Sequence, residues 1–249
     1  MRSMVVEGTT VEKGAGEQAT SSAVRSMFAA VAPRYDLLNH LLSGGVDVAW
    51  RRATVRSLKP VLSNPSSVVA DLCCGTGDLA LALRRASAGK VLGADFCHPM
   101  LQLARKKSVR LPRITTFLEA DTLRLPFRDE SLDAVTIAFG FRNLVNYRRG
   151  VQEMRRVLRV GGMVAILEFS RVTWPVFGPL FRAYFRLVLP RLGAWISGVQ
   201  GPYQYLPDSV SRFPDQEALS DLLREEGFSG VRYRNFTGGV AALHLGEKG

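Results

Sequence analysis

The residues best placed to do chemistry are concentrated at Asp71-Leu-Cys-Cys-Gly75-Thr76-Gly77-Asp78-Leu-Ala80, where a strand-like run starting at Val68 gives way to helical spacing. Gly75 and Gly77 allow a tight turn whose backbone can approach a ligand, and Ala80, the third small residue, lets the following helix sit close to the strand. Asp95 ends the next strand-like run, 20 residues beyond Gly75. A carboxylate there can accept hydrogen bonds from both hydroxyls of a ribose, so loop and acid together read as a nucleoside site. Nicotinamide dinucleotides use the same pair, and these residues alone leave a dehydrogenase open.

A second set follows the run Leu132 to Ala138, at the carboxyl edge where open α/β sheets bind ligands: Arg142 and Asn143. With a pKa above about 12 an arginine is a poor base but a good stabiliser of developing negative charge, and the neighbouring amide can orient a water. The plain alternative for Arg142 is a solvated loop charge. Tyr35, Asp36 and Asn39 could close a pocket from the amino-terminal side, and Tyr203 and Tyr205 could line it; helix packing, capping and core aromatics are the competing readings. Asp121 with Thr122 follows the third strand-like run, as ligand contacts or as a turn cap. His244, on an apolar terminal run, reads as a satisfied core histidine. The three histidines and Cys73, Cys74 and Cys97 form no metal-ligand spacing and no disulfide framework, so reduced thiols and a metal-free site are expected.

The elements that must hold these groups alternate. Strand-like Val68 to Leu72, Val91 to Ala94, Thr115 to Glu119, Leu132 to Ala138 and Met163 to Glu168 are separated by helical Leu79 to Arg85, Met100 to Ser108 and Val151 to Leu158. That pattern specifies a doubly wound, mostly parallel α/β sheet. Helix Asp215 to Glu226 precedes strand-like Gly230 to Asn235 and Gly239 to Gly246, which predict an antiparallel terminal hairpin at the sheet edge. Two short helices broken at Pro33 are expected between Ala23 and Leu42, within a helical cap over 23–60. Residues 1–22, without apolar period, are expected to be a disordered arm before a single domain at 23–249. The segment 171–206 contains the aromatic stretch Trp174 to Ser197, interrupted by prolines and arginines. It lacks the roughly 20 uncharged apolar residues of a bilayer span and reads as a lid or a membrane-surface element.

The 249 residues carry a formal net charge of +11, which suits an anionic membrane surface, an anionic ligand or nucleic acid without choosing among them. Arg105-Lys106-Lys107 with Arg110 and Arg113 could contact nucleic acid, but no recognition motif accompanies them and a solvated helix face explains them. No export leader opens the chain, so the cytoplasm is the expected compartment.

Asp71 inside the strand before the glycines, together with Asp121-Thr122 after the third strand, resembles the class I methyltransferases, which bind S-adenosylmethionine. Four further segments resemble the ubiquinone/menaquinone biosynthesis C-methyltransferase family, from Val24 nearly to the end. They are Phe28-Ala-Ala-Val-Ala-Pro-Arg-Tyr35-Asp36-Leu-Leu-Asn39 running on to Trp50-Arg51-Arg52; Ala138-Phe139-Gly140-Phe141-Arg142-Asn143; Met154 to Gly162 leading into Leu167-Glu168-Phe169-Ser170; and Tyr203 to Gln216 with Ala241-Ala-Leu-His244-Leu-Gly246. The resemblance implies a seven-stranded sheet and cofactor contacts at Asp71, Gly75, Thr76, Gly77, Asp95, Asp121, Thr122 and Ala138, where many relatives have serine. It implies Arg142 and Asn143, with a water, as the proton-handling group. It further implies C-methylation of a polyprenylated quinol: demethylmenaquinol, or the methoxy-benzoquinol precursor of ubiquinone. Contact with the inner face of the cytoplasmic membrane, or a homodimer formed through the lid, would follow from so greasy a substrate.

Overall fold

The structure is a computed structural model that describes residues 8–9, 16–36, 43–109, 115–175, 178, 183–184, 187 and 202–249, with side chains from Tyr205 onward in the last stretch. Asn39, the Tyr203 side chain, Arg110, Arg113 and most of the 174–197 stretch lie outside the described residues.

Seven strands form one sheet: β1 (Val68–Leu72), β2 (Lys90–Asp95), β3 (Thr116–Glu119), β4 (Leu132–Ala138), β5 (Leu158–Phe169), β6 (Phe228–Phe236) and β7 (Ala241–Lys248). Their order is β3-β2-β1-β4-β5-β7-β6, with β7 antiparallel to β5 and to β6 and every other pairing parallel. The doubly wound sheet and its antiparallel terminal hairpin are therefore as the hydrophobic pattern requires. β1 is buried along almost its whole length, so it reads as a continuous apolar run in which Asp71 is the exception.

Helices cover both faces. On one face, α2 (Val46–Ser57) and α4 (Asp78–Ala86) bury Trp50, Leu79 and Leu83 against Val69, Leu167 and Leu245. On the other, α6 (Tyr147–Val157) and α8 (Gln216–Glu225) bury Val151, Met154, Leu219 and Leu223 against Leu72, Ile137 and Ile166. The short α3 (Lys59–Leu62) follows α2, α5 (His98–Ser108) follows β2, and α7 (Pro202–Arg212) precedes α8. α6 starts at Tyr147, earlier than its apolar period suggests, because the Asn146 side chain caps it by accepting the Arg149 amide.

The amino-terminal boundary differs from expectation. α1 (Glu17–Val31) begins inside the stretch read as an arm, with Thr20 and Val24 buried. Gly8 and Thr9 donate backbone hydrogen bonds to the carbonyls of Val145 and Leu144 at 3.2 and 2.8 Å. Composition hid this, because the small polar residues there gain their partners from a loop more than 130 positions away.

Candidate active site

The carboxyl ends of β1, β2 and β4 open into one cavity lined by Tyr35, Asp71, Gly75, Thr76, Asp95, Asp121, Thr122, Ala138 and Asn143 among others. Nine residues proposed from sequence thus meet in one place. The crossover at β1 creates it, since the helices after β1 and β4 leave on opposite faces and the loops diverge.

Gly75 and Gly77 both have positive φ, at 54° and 87°. A Cβ on Gly75 would meet nothing within 4 Å, which leaves that backbone open to an approaching ligand. A Cβ on Gly77 would press on Ala104 and Phe117 at 3.1 and 3.2 Å, so this glycine sets the packing of α4 on its neighbours. Cys73 and Phe139, at the ends of β1 and β4, also take left-handed conformations (φ 46° and 59°), a strain found where chain geometry serves a site.

Asp95 is buried and held rigidly: the Gly75 amide donates to Oδ2 and the Cys97 amide to Oδ1, each at 2.8 Å. Desolvation pushes its pKa up to about 6 in spite of those amides. Asp71 is buried too and accepts the Thr136 hydroxyl at 2.6 Å from the adjacent strand; burial raises it to about 7. Asp121 spends Oδ1 on the Leu123 amide at 2.9 Å, so it caps a turn and lines the cavity at once. Burial pushes the Cys73 thiol up, and it meets the Thr122 hydroxyl at 3.3 Å; this is an inert thiol, not a nucleophile.

The cap reaches the glycine loop. Asp36 accepts the Thr76 hydroxyl, while Lys107 donates to Asp36 and to Asp78 at 2.7 Å each and to Thr76 at 3.1 Å. Asp36 therefore ties the amino-terminal cap to the glycine loop, whereas its neighbour Tyr35 lines the cavity.

Where Asn143 lines the cavity, the Tyr205 hydroxyl donates to Asn143 Oδ1 at 3.0 Å and lies 2.8 Å from the Thr9 hydroxyl. Arg142 is buried beneath the cavity wall. Its guanidinium donates to Glu168 Oε1 at 2.8 Å and to the Phe139 carbonyl, and lies over the Phe169 ring at 5.3 Å. Burial disfavours its charge, but Glu168 and the nearby Tyr35 and Tyr205 outweigh that, so the group stays cationic. Of the pair expected at the acceptor, Asn143 lines the cavity, whereas Arg142 stands behind it. His244 is buried and neutral, its pKa lowered by burial to about 4, with Nε2 2.9 Å from the Gln216 carbonyl. Among the described residues no cluster of three or more His, Cys, Asp or Glu could hold a metal.

Sequence reasoning missed Glu168, Thr9, Lys107 and Arg51. Glu168 carried a signal, a charge at the end of an apolar strand run that must find a buried partner. Thr9 and Lys107 carried none, since their partners lie far along the chain, and the i,i+4 spacing of Arg51 from Asp47 says nothing of a cavity.

The residues present suit a sulfonium nucleoside: Asp71, Asp78, Asp95 and Asp121 ring a cleft that must take a ribose and two positive centres, and Gly75 leaves its backbone uncovered. Sheet order, glycine loop and paired acids together define a class I S-adenosylmethionine-dependent methyltransferase. Solved structures show the same fold at low identity. The [4+2]-cyclase SpnF matches with a TM-score of 0.68 at 17% identity over 98% of each chain. A methyltransferase from Thermotoga maritima matches at 0.64 and 19%, over 90% of this chain and 99% of its own. The chain belongs to the ubiE/COQ5 methyltransferase family, whose profile matches residues 15–248. A demethylmenaquinone methyltransferase of Thermus thermophilus is 50% identical over 89% of this chain and 100% of its own. One from Deinococcus radiodurans is 47% identical over 93% and 95%. A ubiquinone/menaquinone biosynthesis C-methyltransferase of Citrifermentans bemidjiense is 44% identical over 90% and 96%.

Proposed function

We infer that this methyltransferase converts demethylmenaquinol to menaquinol, placing a methyl group on the ring carbon of a reduced, polyprenylated naphthoquinol. The observation that carries the reading is the 50% identity to a demethylmenaquinone methyltransferase across that protein's whole length. It agrees with an acceptor end built from apolar walls, Phe28, Phe139, Leu144 and Val145, and a few polar groups.

When bound, S-adenosylmethionine supplies an electrophilic methyl group on a sulfonium. The protein must hold the acceptor carbon in line with it and exclude water, and the apolar wall does both. Transfer needs an electron-rich ring, so a quinol hydroxyl must lose or share its proton; the quinone cannot serve. Asn143, fixed at its carbonyl end by Tyr205, presents its amide to orient a water that takes this proton. Arg142 lies near enough to Tyr35 and Tyr205 for its charge to be felt at both phenols, which favours negative charge developing between them. Once the new carbon–carbon bond has formed, the ring carbon loses its hydrogen as a proton and aromaticity returns.

The prenyl tail points to a membrane surface. Trp174 and Leu187 are more than half exposed, and no helix among the described residues is long and apolar enough to cross a bilayer. We place the protein on the cytoplasmic membrane face, held by these side chains and its excess of basic residues. Flotation with anionic liposomes is expected; absence of binding removes this part of the proposal.

Transfer of labelled methyl to short-chain demethylmenaquinol and to the methoxy-benzoquinol, both under reducing conditions, decides the acceptor. Label in the naphthoquinol supports the reading, and label confined to the benzoquinol overturns it.

A further inference from the structure

Three cations stand near the cavity, and each is paired with at least one carboxylate. Lys107 is shared between Asp36 and Asp78, and Arg142 is paired with Glu168. The third, Arg51 on α2, is among the described residues the one Lys or Arg lining the cavity, in company with four aspartates. It lies close enough to Asp71 for its charge to favour the ionised carboxylate.

Arg51 is held from behind. One terminal nitrogen donates to Asp47 one turn earlier, and Asp47 is itself buried and accepts the Ser43 hydroxyl at 2.7 Å. Its guanidinium sits 5.3 Å from the centre of the Phe139 ring, and only 11% of its side chain is exposed. Trp50 packs against Phe139 and Phe236, fixing the helix that carries it. The remaining guanidinium donors have no hydrogen-bond partner among the described residues. A mostly buried guanidinium fixed in this way has little freedom left to lose, and its unused donors remain for a ligand carboxylate in the cavity that it lines.

The cofactor's amino-acid end is a zwitterion, with an ammonium and a carboxylate on one carbon. Asp71 beside Arg51 offers the opposite pair of charges in the same cavity. We propose that Arg51 is the specificity-determining cation for the methionine carboxylate, held in place by Asp47, with Asp71 serving the ammonium. A guanidinium fork matches a carboxylate in two parallel hydrogen bonds, which an ammonium of lysine cannot reproduce.

The experiment is calorimetry of the full chain with S-adenosylmethionine, S-adenosylhomocysteine and decarboxylated S-adenosylmethionine, which lacks only the carboxylate. The protein should bind the decarboxylated compound about 10- to 100-fold more weakly. Arg51→Met should lose about that factor for the two carboxylate ligands and change little for the decarboxylated one. Arg51→Lys should fall between, and Arg52→Met, an exposed charge on the same helix, should match the unaltered protein. Equal affinity of the unaltered protein for both forms overturns the proposal even if Arg51→Met does not fold. So does a loss in Arg51→Met that is the same for all three ligands, because that is the signature of a merely structural role. Homocysteine-product binding by the unaltered protein separates failure of this proposal from failure of the cofactor assignment on which it rests.

Discussion

Replacing Glu168 with glutamine removes a charge whose side chain is 1% exposed and whose partner, Arg142, is 6% exposed. Three donors converge on this carboxylate: the Arg142 guanidinium at 2.8 Å, the Arg142 amide at 3.2 Å and the Phe169 amide at 2.9 Å. Glutamine keeps one acceptor oxygen and turns the other into a donor, so one amide faces an NH2 and the guanidinium keeps an uncompensated charge. Breaking a buried pair from one side costs about 3–5 kcal/mol. For a chain of this size that is a fall in Tm of roughly 6–20 °C, at about 2–4 °C per kcal/mol. Arg142→Met strands the carboxylate instead and should cost a similar amount. The double variant has no charge left to strand, so its loss should fall short of the sum by about 2 kcal/mol or more. Urea unfolding of the four proteins measures this, and methyl transfer alongside should show kcat falling in all three variants with little change in cofactor Kd. Additive losses, or a Glu168→Gln shift under about 2 °C in a parallel thermal melt, would refute the reasoning, because they would mean the pair is solvated and does not anchor Arg142 beside the cavity.

Further outcomes follow from the same geometry. Asp71 titrates at about 7 in the folded chain against an ordinary 3.8, so the folded state binds the extra proton between those values. The stability this group contributes is full below about pH 4 and is lost as pH rises through 7. Asp71→Asn should raise the apoprotein's Tm at pH 8, raise it less at pH 5 and leave it nearly unchanged at about pH 3, below the unfolded pKa, while weakening cofactor binding; an equal effect on Tm at all three pH values counts against the buried carboxylate. Tyr205→Phe frees the carbonyl end of Asn143 and should lower kcat about tenfold with cofactor affinity intact, as single-turnover rates and calorimetry would report. Gly77→Ala must hold a Cβ at φ 87° against Ala104 and Phe117, and should cost about 2–3 kcal/mol, read as a lowered urea midpoint.

Much of the fold was legible because its code is local. Continuous apolar runs such as Val68 to Leu72 can only be buried strands when helical periods separate them, and such alternation leaves few topologies. The cofactor loop was legible for the same reason: Gly75, Gly77 and Asp95 mark turn and strand-end positions that any sheet of this kind places together. The family followed from the order and spacing of several motifs, which is information carried in one dimension.

What only the tertiary structure decided are pairings between distant residues. Asp36 and Tyr35 are neighbours in sequence, yet one ties the cap to the cofactor loop and the other lines the cavity, because the helical turn there points them in different directions. Arg142 and Asn143 differ likewise, one sealed against Glu168 and the other reaching the cavity. Thr9 meets Tyr205 across 196 positions, and Arg51 enters a cavity whose four aspartates come from the ends of three separate strands and the helix start after the first. A side chain's charge can be read from its letter, but whether it is buried, paired or open to a ligand depends on desolvation and on what the fold brings within hydrogen-bond reach.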